Sequence, residues 1–377
     1  MPDFLDARHQ RWLEVAEQLA PELVTLADHA GADGDSELAG AVREASKAAG
    51  VFAMTQPAAF GGTEAGALAL CIVRDTLARH GVGHLGGVFG PSPGVLAQVG
   101  EPLRSRFLLP YLAGDLRGGF GFTEPSDAPR PTWARRDGDE LVVNGQKSYV
   151  TGGAEADFIN ALVEVEGAGP AMVLIETNRG GVTLTQRFAT LDGSHHAAFT
   201  FADVRLPATH VIGEAGRGMG RALAQISATR MAIAADCVGQ CRFALQLVAD
   251  TLAARAARHA LEDHPNAVGT APERITLGNM RIAAYAARSA LYRTARLVDA
   301  DENAVNEVMA AKSLATETLS RVCDDAIGLV GGTALIDGHP LADMLRRVRA
   351  MRLAEGPTEV LAANVSRGHL DLGLGRI

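Results

Sequence analysis

The chain changes its hydrophobic rhythm twice, and those two changes constrain its architecture more than any single residue does. From Asp6 to about Leu116 apolar positions recur at helical spacing, as in Trp12, Val15, Leu19, Leu23 and Leu26. Near Gly118 the run Gly118-Gly119-Phe120-Gly121-Phe122 opens an extended region that continues to about Pro207. After Gly220 the helical rhythm returns and persists. A chain of 377 residues, 47% of them hydrophobic, can bury more than one core. The expected fold class is α+β and multidomain. It has an N-terminal helical domain over 1–117, a central small β-barrel or sandwich over 118–218, and a C-terminal four-helix bundle over 219–377.

Within this frame the pattern predicts helices over Ala7–Ala27, from a Ser36 cap to Ala49, and over Gly66–His80. Gly31 to Asp35 and Phe60-Gly61-Gly62 break them, and the Gly- and Pro-rich stretch 81–94 reads as loop. Phe158–Val165, Ala171–Glu176, Val182–Phe188 and Ala197–Leu206 read as short strands. Asn144-Gly145 lies between apolar segments and predicts a hairpin turn. Ala234, Cys237, Val238, Cys241, Leu245, Val248 and Leu252 form one apolar helical stripe. Further helices are expected over Met280–Val298, Ala304–Ile327 and Leu341–Leu353, with a proline-bearing loop from Leu261 to Arg274.

Composition narrows the function. A net charge of −9 and 5% aromatic residues argue against a nucleic-acid partner, although a local basic cluster can still hold an anionic ligand. The four cysteines have no zinc-site spacing, and Cys237 and Cys241 read as small core residues. So few cysteines fit a reducing compartment, and no leader or apolar run of about 18 residues is evident. The expectation is a cytoplasmic chain with no membrane span. His195-His196 sit side by side on a strand and so point to opposite faces, which disfavours a shared metal.

Three separated motifs carry chemistry. In Phe122-Thr123-Glu124-Pro125 an extended backbone puts Phe120, Phe122 and Glu124 on one face. In Asn144-Gly145-Gln146-Lys147-Ser148-Tyr149-Val150-Thr151, Tyr149 and Thr151 share a face. In Glu355-Gly356-Pro357-Thr358 a carboxylate stands at a helix end, where it can project into a cleft and act as a base. In this order, and with the helical, β, helical texture over nearly the whole chain, the sequence resembles the acyl-CoA dehydrogenase family of flavoproteins.

That resemblance implies FAD as cofactor and α,β-dehydrogenation of an acyl thioester, on coenzyme A or a carrier protein, as part of lipid metabolism. It implies Glu355 as the base that removes the α-proton, while the β-hydrogen leaves as hydride to flavin N5. Phe120, Phe122, Thr123, Tyr149 and Thr151 would shape the flavin site, and Ser126 would reach ligand phosphate. Arg230 matches an arginine near the substrate entrance. Arg255 matches an arginine for the cofactor pyrophosphate, or is a solvated helix face. Gly331-Gly332 match a glycine turn that receives the pyrophosphate of a neighbouring subunit, or form a simple helix C-cap. Electron-transferring flavoprotein would be the oxidant, and the assembly a homo- or hetero-oligomer, dimer or tetramer.

The chain departs from the family pattern in places. Tyr149 stands for the usual Trp, Ser126-Asp127-Ala128-Pro129 shortens the loop after Thr-Glu-Pro, and Gly328 replaces a glutamine. Ala256-Ala257-Arg258-His259 replaces a Phe-Gly, and Asp192, Ser194, His195 and His196 replace the usual Arg and Ser-Thr of the barrel. These departures leave open two alternatives: a non-catalytic partner subunit of a heteromeric enzyme, or a flavin oxidase or monooxygenase on the same scaffold.

Overall fold

The computed structural model describes residues 5–29, 35–261, 268–373 and 377. Residues 31–34 of the expected break therefore lie outside the described residues, as does much of the loop expected after Leu261. The chain forms two compact units. One comprises residues up to 55, 63–89 and 227 onward; the other comprises 56–62 and 90–226.

The second unit is built on one eight-stranded sheet. Its strands are β1 Gly118–Gly121, β2 Trp133–Asp137, β3 Glu140–Thr151, β4 Phe158–Val165, β5 Gly169–Glu176, β6 Val182–Ala189, β7 His195–Pro207 and β8 Val211–Ile212. They run in the order β6-β7-β3-β2-β4-β5-β8, with β1 added parallel to β4. One face buries Leu141, Val143, Ile159, Val163, Val173, Phe199 and Phe201. The other is covered by Leu96, Leu103, Phe107 and Leu108 from the segment leading through α4 (Leu109–Ala113), packed on Phe158 and Leu174.

Asn144-Gly145 is not the hairpin turn that the sequence suggested. It lies inside the continuous strand β3, where the register to β7 shifts between Val143 and Gly145. The Asn144 amide donates to Asp203 Oδ1 at 3.1 Å and accepts from the Asp203 backbone N–H at 2.9 Å. Glycine is needed at 145 for close approach, because a Cβ there would stand 2.6 Å from Thr132 Cα. The turn itself is Gly138-Asp139, which joins β2 to β3. The same close approach explains the glycines of β1: a Cβ on Gly119 would meet Val150 at 2.8 Å, and one on Gly121 would meet Ile159 at 2.9 Å.

The other unit is helical: α1 Ala7–His29, α2 Asp35–Ala48, α3 Gly66–Arg79, α5 Gly218–Leu261 from Ser227 onward, α6 Ala271–Asp299, α7 Val305–Val330, α8 Pro340–Met351 and α9 Thr358–Leu370. The α5 stripe is buried as its periodicity requires, with Leu245 only half-buried. All four cysteines are free and buried. Residues 271–274 are helix rather than loop. Thr270 and Glu273 form a capping box, with Glu273 Oε2 accepting from the Thr270 N–H at 2.6 Å and Pro272 in the first turn. An 18-residue window within 218–258 is long and apolar enough to pass as a membrane span, contrary to the expectation; 56% of it is buried within the protein, as in a core helix.

A charged node ties this unit together. Asp75 is fully buried, and its carboxylate accepts from Arg242 at 2.8 Å, Arg288 at 2.7 Å and the Tyr292 hydroxyl at 2.8 Å. Burial of a carboxylate is tolerated here because its charge is answered by two guanidinium groups.

Candidate active site

In the helical unit, Glu355 sits in the turn between α8 and α9. Its φ is +55°, a left-handed conformation sparsely populated by a non-glycine residue, and Gly356 follows at +107°. The turn is held through its main-chain oxygens. Arg230, buried on α5, donates Nε to the Glu355 carbonyl at 2.9 Å. Lys312, buried on α7, donates Nζ to the carbonyls of Gly356 at 2.8 Å and Arg352 at 3.2 Å. Glu317 accepts from Arg352 at 2.8 Å and from the Thr358 hydroxyl at 2.8 Å.

The electrostatics suit a base that must exchange a proton. Burial raises the Glu355 carboxyl above its ordinary value, and the charges of Arg230 and Lys312 oppose that rise. Burial lowers the Lys312 ammonium to about 8. Burial also lowers Arg230, with the Glu355 charge opposing it.

In the β unit, the two motifs around the sheet are bound to each other. Lys147, fully buried on β3, donates to Glu124 Oε1 at 2.7 Å and to the Phe122 carbonyl at 3.3 Å. The Thr132 N–H adds a bond to the same carboxylate at 2.7 Å. The Ser148 N–H reaches the Thr123 carbonyl at 2.9 Å, which fixes the Thr123 peptide against β3. Burial works against the Glu124 charge, yet the hydrogen bonds from Lys147 and Thr132 hold the carboxyl below its usual range.

Of the aromatic side chains of these motifs, Phe120 and Phe122 are half-buried against the cluster around Phe158, while Tyr149 stays open. The Phe120 and Phe122 rings are nearly parallel, 10° apart with centroids at 6.2 Å, so they share the face that alternation predicts. Tyr149 has φ +53° at a register shift in β3 and is 61% exposed. Its ring meets Phe188 edge-on at 5.1 Å and His196 at 6.1 Å. Thr123, Ser126 and Thr151 are exposed. His195 is exposed while His196 is half-buried in the aromatic cluster, and no group of three metal-ligating side chains occurs among the described residues.

Arg255 and the glycine turn come together within the helical unit. Arg255 donates to Glu273 at 2.6 Å and to the Leu329 carbonyl at 3.0 Å, two residues before Gly331. Gly331 caps α7 with φ +92°, and no atom lies within 4 Å of where a Cβ on Gly331 or Gly332 would stand. The turn is thus a helix C-cap with open space above its backbone.

Residues to which sequence reasoning gave no role are Glu124, Lys147, Phe188 and Lys312. Glu124 and Lys147 lie inside the quoted motifs but were read only for their neighbours. Lys312 had a signal of its own, a single lysine in the apolar run Met309-Ala310-Ala311-Lys312. Phe188 had none, because its partner Tyr149 is distant in sequence.

The site residues fit a flavin dinucleotide on two counts: in the β unit, the stacked, half-buried Phe120–Phe122 pair and the exposed Tyr149 accompany exposed hydroxyls, and in the helical unit an unobstructed glycine turn lies next to an arginine. Comparison with known proteins bears on the same point. The family model for the acyl-CoA dehydrogenase C-terminal domain matches residues 216–370. A probable acyl-CoA dehydrogenase, FadE2, of Mycobacterium tuberculosis is 30% identical over 290 residues, 72% of this chain and 69% of that protein. The ChsE4-ChsE5 complex of Mycobacterium tuberculosis has a chain that superposes with a TM-score of 0.80 at 19% identity, covering 98% of this chain and 99% of that one. A glutaryl-CoA dehydrogenase of Mycobacterium smegmatis, solved in complex with FADH2, superposes with a TM-score of 0.77 at 19% identity, covering 97% and 95%. Motif order, fold and these likenesses agree: the chain belongs to the acyl-CoA dehydrogenase family of oxidoreductases.

Proposed function

We propose that the chain uses FAD to introduce an α,β double bond into an acyl thioester, with Glu355 as the base. The observation that carries this reading is the Glu355 turn: a half-buried carboxylate of raised pKa on a backbone pinned by Arg230 and Lys312. When bound, FAD supplies the acceptor for the β-hydrogen as hydride. Glu355 takes the α-proton onto its carboxylate, and Arg230 and Lys312 keep the turn in place as that charge is neutralised. Phe120, Phe122 and Tyr149 would wall the ring, and Thr123 and Thr151 would offer hydroxyls to it. Ser126 would meet ligand phosphate, and Arg255 with Gly331 and Gly332 would meet pyrophosphate. The FADH2 complex of the M. smegmatis relative supports the cofactor. Electrons would pass to electron-transferring flavoprotein, in a cytoplasmic dimer or tetramer.

The test is the absorbance spectrum of the purified chain, followed by anaerobic addition of acyl-CoA thioesters of graded length. A flavin band that bleaches with at least one thioester is expected. A flavin-free chain, or a bound flavin that no thioester bleaches, would overturn the reading.

A second reading, a subunit that works beside a catalytic partner, draws on two observations. Arg255 is already paired with Glu273, and Gly328 stands where the family has glutamine. The ChsE4-ChsE5 complex supports it, since a chain of this fold stands there in a two-protein assembly. A yellow, active assembly formed by this chain alone would dispose of it.

The raised Glu355 pKa fixes the direction of the pH dependence. The base works ionised, so kcat/KM should rise with pH through a limb lying above the ordinary value of 4.5. Stability should move oppositely: the folded state keeps this proton longer than the unfolded chain, so its contribution declines as pH climbs from 4.5 through the raised value. A pH-rate profile with the limb at or below 4.5 would contradict both statements.

A further inference from the structure

Glu273 carries two duties at the start of α6. Its Oε2 accepts from the Thr270 N–H at 2.6 Å and from the Thr270 hydroxyl at 2.9 Å, which completes the capping box. Its Oε1 accepts from Arg255 Nη1 of α5 at 2.6 Å. The other terminal nitrogen of Arg255 donates to the Leu329 carbonyl near the end of α7 at 3.0 Å. One guanidinium thereby joins three helices of the same unit, with both charged side chains half-buried.

An anion at the adjoining glycine turn would find the backbone unobstructed at Gly331 and Gly332 but the cation already engaged. Hydrogen bonds from Thr270, the backbone one foremost, hold the Glu273 carboxyl below its usual range, so it stays charged at neutral pH. The same bonds hold it in place, so it cannot simply turn aside. A diphosphate must therefore draw Arg255 away from Glu273 or stand close to a fixed negative charge. A neutral ligand would face no such choice.

We infer that Glu273 is a built-in competitor of the cofactor's diphosphate: it engages Arg255 in the ligand's place and weakens dinucleotide binding at this turn. The inference rests on the FAD reading above. Removing its charge should tighten FAD, the reverse of what loss of a binding side chain does. Glu273→Gln tests this, because glutamine also serves at that position of a capping box and spares the helix start. Serial dilution of the flavin-loaded protein, with released flavin read by fluorescence, gives the FAD dissociation constant. The variant's constant should be lower by ~10-fold in dilute salt, and the gap should close as ionic strength rises from ~0.05 to ~0.5 M. Thr270→Val, which weakens the cap and keeps the charge, should not tighten FAD. A constant unchanged or raised in Glu273→Gln, a gain that persists in high salt, or an equal gain in Thr270→Val would overturn the competitor role alone. A parent chain that takes up no flavin from excess FAD would instead overturn the cofactor reading, and this inference with it.

Discussion

Glu355→Gln should keep its FAD and lose thioester-dependent bleaching by ~10³-fold, within the range expected when a positioned general base is removed. The substitution preserves volume, and it leaves the turn intact because Arg230 and Lys312 grip carbonyls rather than the carboxylate. Stopped-flow reduction under anaerobic conditions measures the loss, and the flavin spectrum reports whether the cofactor stays. Since burial disfavours the Glu355 charge, the variant should unfold no more easily than the parent at neutral pH. Reduction within ~3-fold of the parent rate would move the base elsewhere.

Glu124→Ala should destabilise the β unit by ~3 kcal/mol, because it strands the buried Lys147 ammonium. Glu124 is also the acceptor for the Thr132 N–H, so the segment carrying Thr123 after β1 would lose its anchor at both contacts. Urea unfolding measures the effect, and FAD titration should show weakened binding. Glu124→Gln, which keeps an acceptor without the charge, should fall between. A midpoint unchanged in both variants would show that the pair is replaceable by water.

The large features of this molecule were legible because they depend on periodicity. The α5 stripe, β4 with its bounds Phe158–Val165, and the switch near Gly118 all follow from which residues must avoid water. Asn144-Gly145 misled because the same dipeptide that makes a turn also makes a bulge, and only the partner strand decides between them. Helix α9 had no bounds in the sequence because Gly356-Pro357 reads as an end, while proline also sits well just ahead of a new helix. Of the proposed site, Glu355 stood out beside its glycine and proline. The anchors did not: pairs such as Lys147–Glu124 and Lys312–Gly356 are contacts between residues far apart in sequence.

The grip on the turn at 355 has an implication for how such a chain can change. Main-chain oxygens are common to all amino acids, so the hydrogen bonds of the clamp do not depend on the carboxylate it presents. Reactivity at this point can be rewritten by one substitution while the fold, and whatever ligand it has come to hold, is left undisturbed.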